Sequence, residues 1–153
     1  MPAHWLPIPH RKQRHEADCL AACVAAVLDY LGKPVDYDEL IGLLSIQPGI
    51  GGPASNVERL CALGITVQYG TGTLEDLARW ITQGIPCIVF VNTAYLSYWP
   101  EATRHAVVVV GIDNERVYLN DPYFDSAPQS VPCLEFEMAW DEFDNAYAVL
   151  SAQ

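Results

Sequence analysis

The hydrophobic pattern of this 153-residue chain changes abruptly at Pro86, and this change limits the folds that the chain can adopt. Before Pro86, apolar residues recur mainly with helical spacing, in segments that begin with capping residues and end with glycine. After Pro86, short runs of β-branched apolar residues alternate with turn residues, which is typical of strands. A helical half followed by an antiparallel sheet half predicts an α+β domain.

The strongest helical segment is Leu20 to Leu31, with the sequence LAACVAAVLDYL. It is rich in alanine and leucine and apolar on nearly every face, so we expect a buried helix. Gly32 and Pro34 follow it and supply the usual signals for its end. The helix begins near Asp18 or Cys19, because the polar segment before it has no period. A thiol therefore lies at the start of a buried helix.

Four further helices and five strands are predicted along the rest of the chain. Polar pairs with capping spacing mark three helix starts: Asp36 with Glu39, Ser55 with Glu58, and Thr73 with Asp76. The Ser55 helix ends at Gly64, the Thr73 helix covers Leu74 to Gln83, and the last helix covers Glu135 to Phe143. The strands are expected at Ile65 to Tyr69, Cys87 to Val91, Ala106 to Ile112, Val117 to Leu119 and Ala146 to Leu150.

Composition narrows the classes of partner. With 19 Asp and Glu against 8 Lys and Arg, the net charge of −11 repels phosphate backbones and anionic lipid headgroups, so no nucleic-acid partner is expected. No apolar run approaches the roughly 18 residues that a membrane span needs. We expect a single domain over residues 1–153, with residues 1–12 as an N-terminal arm.

The cysteines indicate a reducing compartment. Their number is odd, and each lies in or beside an apolar stretch, unlike the disulfide framework of a small secreted domain. The N-terminus also lacks the continuous apolar core of a secretory signal. We therefore expect reduced thiols and a cytoplasmic location. The five cysteines are Cys19, Cys23, Cys61, Cys87 and Cys133.

Only Cys19 has surroundings suited to nucleophilic chemistry. A thiol at the N-terminus of a buried helix feels the positive end of the helix dipole, which favours thiolate over thiol. The dipole is weak, so a histidine partner is needed to make the thiolate dominant. The alternative is an ordinary core cysteine, which is the expected role of Cys23 one turn further along. His15, Cys19 and Cys23 share helical spacing, but without a CxxC or HxxxH pair they do not predict a zinc site.

His105 is the best candidate partner, since it begins a predicted strand directly after a loop. Its ring needs an acceptor on the second nitrogen. A hairpin that turns at residues 113–116 brings the end of the next strand across from the start of this one, so Asp121 can reach His105. Asn120 is the alternative acceptor, because adjacent strand residues point to opposite faces. The structural alternatives are a histidine bonded to backbone and a turn-forming aspartate.

Gln13 lies six residues before Cys19. Its side-chain amide and the backbone N–H of Cys19 can both donate hydrogen bonds to the same oxyanion. The segment QRHEADCLAACVAAVLDYLG, with the later HAVVVVGID and VYLNDP, resembles the bacteriocin-processing (double-glycine leader) peptidase family of the papain-like cysteine peptidases. The resemblance runs from Gln13 to the final strand. It implies a papain-like α+β fold, with the nucleophile at a helix N-terminus in the helical half, packed on an antiparallel sheet.

The resemblance also implies a role for each of four residues. In that family, the glutamine, cysteine, histidine and aspartate of these motifs are oxyanion donor, nucleophile, general base and histidine-orienting acid. By resemblance these roles fall on Gln13, Cys19, His105 and Asp121. The sequence departs from the family pattern at Leu20, where a glycine often follows the cysteine. This departure implies a narrower space beside the nucleophile.

Taken together, these features predict a cysteine peptidase that acts on a peptide or protein substrate and needs no metal or organic cofactor. Two alternatives keep the fold: an acyltransferase or transpeptidase, in which an amine or thiol replaces water, and a non-catalytic peptide-binding domain. The Gly49 to Pro53 loop is expected to be a connector at the border of the groove. Tyr95, Tyr98 and Trp99 either form an aromatic wall for an extended peptide or pack in the core.

Overall fold

The computed structural model describes residues 5–152, which form four α-helices, two 3₁₀ helices and six strands. The α-helices are α1 (Cys19–Tyr30), α2 (Tyr37–Leu43), α3 (Leu74–Thr82) and α4 (Cys133–Asp141), and the 3₁₀ helices are Ala54–Leu63 and Thr93–Tyr95. The strands are β1 (Ile65–Thr71), β2 (Cys87–Asn92), β3 (Arg104–Ile112), β4 (Arg116–Asn120), β5 (Gln129–Pro132) and β6 (Ala146–Ala152). No helix within residues 5–152 is long and apolar enough to cross a membrane.

The six described strands form one antiparallel sheet, in the order β1-β6-β2-β3-β4-β5. The C-terminal strand β6 lies between β1 and β2, so the sheet is completed only by the end of the chain. The α+β prediction is therefore confirmed. The sequence does not predict β5, because its four residues, QSVP, lack both the length and the apolar alternation of a strand signal.

Strands β2 and β3 lie in the middle of three layers. Ile88 and Val108 face a cluster that contains α1 and α2, whereas Val89 and Val107 face a second cluster that contains α3 and α4. Successive side chains of a strand point to opposite faces, so apolar residues are needed at every position when both faces are covered. This double burial explains why the runs CIVFV and AVVVV are continuously apolar.

Helix α1 occupies the centre of the first cluster. Its residues from Leu20 to Leu28 are all buried, and the helix packs on both β3 and α2. A helix covered on nearly every side needs apolar residues all round, which is the composition that the sequence shows. Cys19 is the first residue of α1, so the fold leaves the thiol at the boundary between the core and the surface.

Two predicted helices differ from the observed ones. The third is a 3₁₀ helix, and the residue before it, Pro53, makes no side-chain capping bond, so Ser55 is not its cap. Its inward residues, Ala54, Val57, Leu60 and Leu63, recur every three positions, which matches the three residues per turn of a 3₁₀ helix. The last helix, α4, begins and ends two residues earlier than predicted.

The N-terminal segment packs on the sheet. Leu6 N–H donates to the carbonyl oxygen of Val110 at 2.8 Å, and the Asn120 side chain donates to that of Ile8 at 3.2 Å. Ile8 is buried in the first cluster. Of the predicted arm, residues 5–8 therefore lie along β3 and β4, and residues 1–4 lie outside the described part of the chain.

Candidate active site

Cys19 is the first residue of helix α1 and follows a loop that hydrogen bonds hold in place. Asp18 precedes it as the N-cap residue and is almost fully buried. The Asp18 carboxylate accepts the His15 N–H at 3.1 Å, and the Tyr37 hydroxyl donates to the Asp18 carbonyl oxygen at 3.4 Å. Cys23 lies one turn deeper and is 1% exposed, and burial raises the pKa of its thiol well above the ordinary value. Of these two thiols, only Cys19 is partly open to solvent.

His105 joins the thiol to a carboxylate. Its Nε2 atom lies 2.7 Å from Oδ1 of Asp121, and the imidazole lines the same cavity as the Cys19 side chain, with which it interacts electrostatically. His105 is 5% exposed and Asp121 is fully buried. The structure therefore brings Cys19, His105 and Asp121 together in that order.

The environment favours a charged imidazolium paired with a charged carboxylate. Burial lowers the pKa of His105, but hydrogen bonds and charge interactions with Asp121 and Cys19 outweigh it and raise this pKa to about 9. Burial raises the pKa of Asp121, but the hydrogen bond and charge of His105 outweigh it, so this pKa lies below its ordinary value. Each partner thus stabilises the charged form of the other.

The register of the β3–β4 hairpin decides between Asp121 and Asn120. Asn120 pairs with Val108, so position 121, one residue beyond β4, falls opposite position 107. Alternate residues of a strand share a face, which places Asp121 on the face of His105 as a diagonal neighbour. Asn120 points to the other face, where it bonds the Ile8 carbonyl. The structure places Asp121, and not Asn120, against the imidazole.

Gln13 lies in the loop before Cys19, but its side chain is turned into that loop. Its amide nitrogen donates to the carbonyl oxygens of His15 at 2.8 Å and Glu16 at 2.9 Å. Its Oε1 atom is buried and has no hydrogen-bond partner among the described residues. Gln13 is also absent from the described residues that line the cavity beside the thiol. In this arrangement, its amide is not directed at Cys19.

A cavity of about 850 Å³, which we call the cleft, opens beside Cys19 and His105. One wall is a small hairpin, residues 47–51, in which Gln47 and Gly51 exchange two backbone hydrogen bonds. Ile50 at its tip is 80% exposed. Leu20 also lines the cleft, next to Cys19. The glycine-rich loop thus borders the groove.

The aromatic residues of the 93–103 loop have a different position from the predicted wall. Tyr95, Tyr98 and Trp99 are not among the described residues that line the cleft. Instead, the Tyr98 hydroxyl and the Trp99 indole N–H each donate to Oδ2 of Asp121 at 2.8 Å. Sequence reasoning missed these contacts, because nothing local shows that the loop folds back onto Asp121.

A thiol at a helix N-terminus, paired with an imidazole that is held by a carboxylate, is the arrangement of a papain-like cysteine peptidase. The profile of the family described as "Peptidase_C39 like family" matches residues 5–148. The chain therefore belongs to this family of cysteine peptidases and has its papain-like α+β fold. Among proteins with curated functions, none matches this sequence.

Solved structures with the same fold include three peptidases. A C39-like peptidase from Bacillus anthracis is 21% identical, with a TM-score of 0.78 and 99% of each chain covered. The peptidase domain of Streptococcus ComA, a bifunctional ABC transporter involved in quorum sensing, is 21% identical, with a TM-score of 0.76 over 99% of this chain and 100% of that one. A double glycine motif protease from an AMS/PCAT transporter, in complex with the leader peptide, is 22% identical, with a TM-score of 0.73 over 97% and 94%.

Proposed function

We propose that this protein hydrolyses peptide bonds through a covalent thioester on Cys19. The observation that carries the proposal is the 2.7 Å contact between His105 Nε2 and Asp121 Oδ1, with Cys19 and His105 lining the same open cleft. Nε2 is engaged by the carboxylate, which leaves Nδ1 of the imidazole for the thiol. The geometry therefore supports general acid and base catalysis by His105 at Nδ1.

In the first half of the reaction, the Cys19 thiolate attacks the peptide carbonyl carbon and forms a tetrahedral oxyanion. His105 then donates its Nδ1 proton to the leaving amine, the C–N bond breaks and a thioester remains. In the second half, the neutral His105 takes a proton from water, whose oxygen attacks the thioester. The acid product leaves, and the proton on His105 restores the ion pair with Cys19.

Two donors are proposed for the oxyanion. The first is the backbone N–H of Cys19, because the first N–H groups of a helix have no partner within the helix. The second is the Gln13 amide, which must first release one of its loop carbonyls. Its buried Oε1 has no hydrogen-bond partner in the present rotamer, and this missing bond favours a rearrangement of the side chain when a substrate binds.

The substrate is proposed to be a peptide, or an extended segment of a protein, with small residues at the scissile bond. Leu20 occupies the position beside Cys19 where the family often has glycine. Gly49, Gly51 and Gly52 line the facing wall of the cleft without side chains. The similar protease from the AMS/PCAT transporter was crystallised with a leader peptide, which supports an extended ligand here. The acidic net charge supports the absence of a nucleic-acid partner.

Competitive alkylation of the thiols tests this function before any substrate is known. The protein is treated with limiting iodoacetamide at pH 7, and modification of each cysteine is quantified by peptide mass spectrometry. Cys61 is an exposed thiol of the same chain and serves as the internal control. We expect Cys19 to react at least about tenfold faster than Cys61, and His105→Ala to remove that advantage. Equal rates for the two thiols contradict the proposal.

Turnover is then measured with a peptide library, with the Cys19→Ala variant as the blank. Hydrolysis predicts free acid products, whether or not amines and thiols are added. If products carry the added amine or thiol, the protein is an acyltransferase. If Cys19 is activated but no library peptide is cleaved while some bind, the chain is a non-catalytic binding domain, and the proposal is wrong.

A further inference from the structure

The carboxylate of Asp121 has every acceptor site occupied. Oδ1 lies 2.7 Å from His105 Nε2 and accepts the Tyr123 backbone N–H at 3.0 Å. Oδ2 accepts the Tyr98 hydroxyl and the Trp99 indole N–H, both at 2.8 Å. A carboxylate needs only one of these contacts to orient an imidazole. The hydrogen bonds that Tyr98 and Trp99 donate to Oδ2 are therefore not needed for that purpose and require a separate explanation.

Both donors on Oδ2 are neutral, and this matters for the charge of His105. A buried carboxylate without partners takes up a proton, because desolvation destabilises its charged form. Tyr98 and Trp99 stabilise the charge without adding a positive group that would compete with the imidazolium. The Tyr98 hydroxyl stays protonated, since burial and the charge of Asp121 raise its pKa above the ordinary value. Asp121 thus stays negatively charged, and among its hydrogen-bond partners only His105 can carry the opposite charge.

Trp99 also encloses the imidazole. Its ring meets that of His105 edge to face, with the centroids 4.8 Å apart and the planes at 65°. The indole also packs on Tyr123, at 4.6 Å between the ring centroids. An edge-to-face contact fixes the plane of the imidazole, and the indole keeps water away from its bond with Asp121. One residue therefore restrains both members of the pair.

The loop that supplies Tyr98 and Trp99 is held in place by its own contacts. Thr93 is 1% exposed, and its hydroxyl donates to the carbonyl oxygen of Glu101 at 2.8 Å, which closes the loop on itself. Leu96 is fully buried in the second cluster, and the Trp99 N–H donates to its carbonyl oxygen at 3.0 Å. The positions of Tyr98 and Trp99 are thus set by the core, and a bound peptide is not needed to order them.

We propose that Tyr98 and Trp99 are positioning residues of the peptidase: they hold the Asp121 carboxylate charged, dry and aimed at His105. The inference rests on the proposed function for its effect on catalysis. Neither residue lines the cleft, so both act through Asp121 and His105 and not on the substrate. Loss of either donor leaves Oδ2 partly unsatisfied, and water that enters to bond it weakens the His105–Asp121 interaction.

The test compares Tyr98→Phe and Trp99→Phe with Tyr95→Phe as the matched control. Tyr95 belongs to the same loop, and its hydroxyl also bonds a carboxylate, that of Glu142, at 3.0 Å. Two readouts are taken on the folded proteins. The first is the pH titration of the His105 ring proton by NMR, assigned with His105→Gln. The second is kcat and KM on a cleaved peptide between pH 6 and pH 10.

We expect the His105 titration midpoint, near pH 9 in the wild type, to fall by about one unit or more in Tyr98→Phe and in Trp99→Phe. The alkaline limb of kcat moves with it, and kcat at pH 8 falls about tenfold with KM unchanged within about twofold. Tyr95→Phe keeps the wild-type midpoint. Tyr98→Phe removes only one oxygen, so it also tests the role should Trp99→Phe not fold.

Unchanged or higher midpoints in both variants, or an equal shift in Tyr95→Phe, overturn the positioning role. The titration needs no substrate, which separates this inference from the proposed function. If the midpoint falls in both variants but the wild type cleaves no peptide, the proposed function fails and the positioning role stands. If the wild type cleaves peptides and the midpoints stay in place, the positioning role fails and the proposed function stands.

Discussion

The His105–Asp121 pair has two sides that are built in different ways. On the Asp121 side, the carboxylate is fully buried, and side chains and one backbone N–H fill all of its acceptor sites. On the cleft side, the wall is the 47–51 hairpin, whose shape depends on glycine backbone and whose tip, Ile50, is 80% exposed. The Asp121 side is thus buried and fixed by hydrogen bonds, whereas the cleft side is open. Substitutions on the first are expected to change kcat, and those on the second KM.

The largest effect is expected where the two sides meet. Cys19→Ala removes the proposed nucleophile and is expected to lower kcat by roughly a thousandfold or more. Cys23→Ala is the matched control, because it deletes the buried thiol one turn away. It is expected to keep kcat and to lower the free energy of unfolding by about 1–2 kcal/mol, as a small core deletion does. Kinetics and urea unfolding of both variants check this, and a Cys19→Ala variant within tenfold of wild type contradicts it.

Asp121→Asn disrupts the hydrogen bonds on the buried side of the pair. The amide nitrogen of asparagine can only donate, and so can the Trp99 indole N–H, so no orientation satisfies all the groups that now bond the carboxylate. We expect kcat to fall about a hundredfold or more, with KM nearly unchanged. Asn120→Ala is the control, since it loses only the bond to Ile8. It is expected to cost about 1 kcal/mol of stability without a large change in kcat, and a comparable loss of kcat in this control contradicts the prediction.

The pH dependence follows from the raised pKa of His105. In the proposed mechanism the imidazolium of His105 protonates the leaving amine, so kcat is expected to fall about tenfold per pH unit above pH 9. The free energy of unfolding is also expected to fall as the pH rises, because folding raises the pKa of His105. The pKa is about 9 in the folded protein and 6.5 for an ordinary histidine, so the contribution is complete below pH 6.5 and disappears as the pH rises through 9. Urea unfolding at several pH values measures this loss, which His105→Gln should not show.

Gly51→Ala changes the cleft side alone. Gly51 has φ +91°, and an added Cβ would lie 3.2 Å from the Ala17 carbonyl oxygen, so the hairpin must move. We expect KM to rise several-fold, while the alkaline limb of kcat stays near pH 9. Gly42→Ala in α2 is the control, because a Cβ there meets open space. It is expected to leave both constants unchanged and to stabilise the helix by up to about 1 kcal/mol. A shift of the alkaline limb in Gly51→Ala shows that the two sides are not separate.

The smallest effect is expected for Ile50→Ser. The side chain is mostly exposed at the rim of the cleft, so its loss changes the free energy of unfolding by less than about 0.5 kcal/mol. A contact with part of an extended peptide predicts a rise in KM of about two- to threefold, with kcat unchanged. Steady-state kinetics on the best library peptide measure it. An effect on kcat places Ile50 closer to the reacting atoms than this comparison allows.

Much of the fold follows from local sequence signals. Helix α1, the Thr73–Asp76 capping box of α3 and the continuously apolar strands β2 and β3 each depend on residues that are close in the chain, and the structure has all of them. The helix type of Ala54–Leu63 and the existence of β5 do not follow from local signals. A three-residue apolar spacing fits both kinds of helix, and a polar four-residue strand is recognised only when β4 pairs with it.

The site shows the same limit. Cys19 and His105 could be selected from a helix start and a strand start, and the structure brings them together with Asp121. The contacts of Tyr98 and Trp99 with Asp121 span more than 20 residues of the chain, so no local pattern contains them. The spacing of Gln13 and Cys19 in the sequence likewise does not show that the Gln13 amide bonds carbonyl oxygens of its own loop.

The sequence by itself determined the order of the helices and strands, apart from β5, and three chemical types at the candidate site: a thiol, an imidazole and a carboxylate. The tertiary structure decided which of two adjacent side chains, Asn120 or Asp121, contacts His105. A register shift in β3, between Val109 and Gly111, changes the pairing with β4 by one residue. Without that shift, Asn120 would fall on the face of His105, and with it Asp121 does. The reason is the two-residue period of a strand, in which one displaced residue exchanges the two faces.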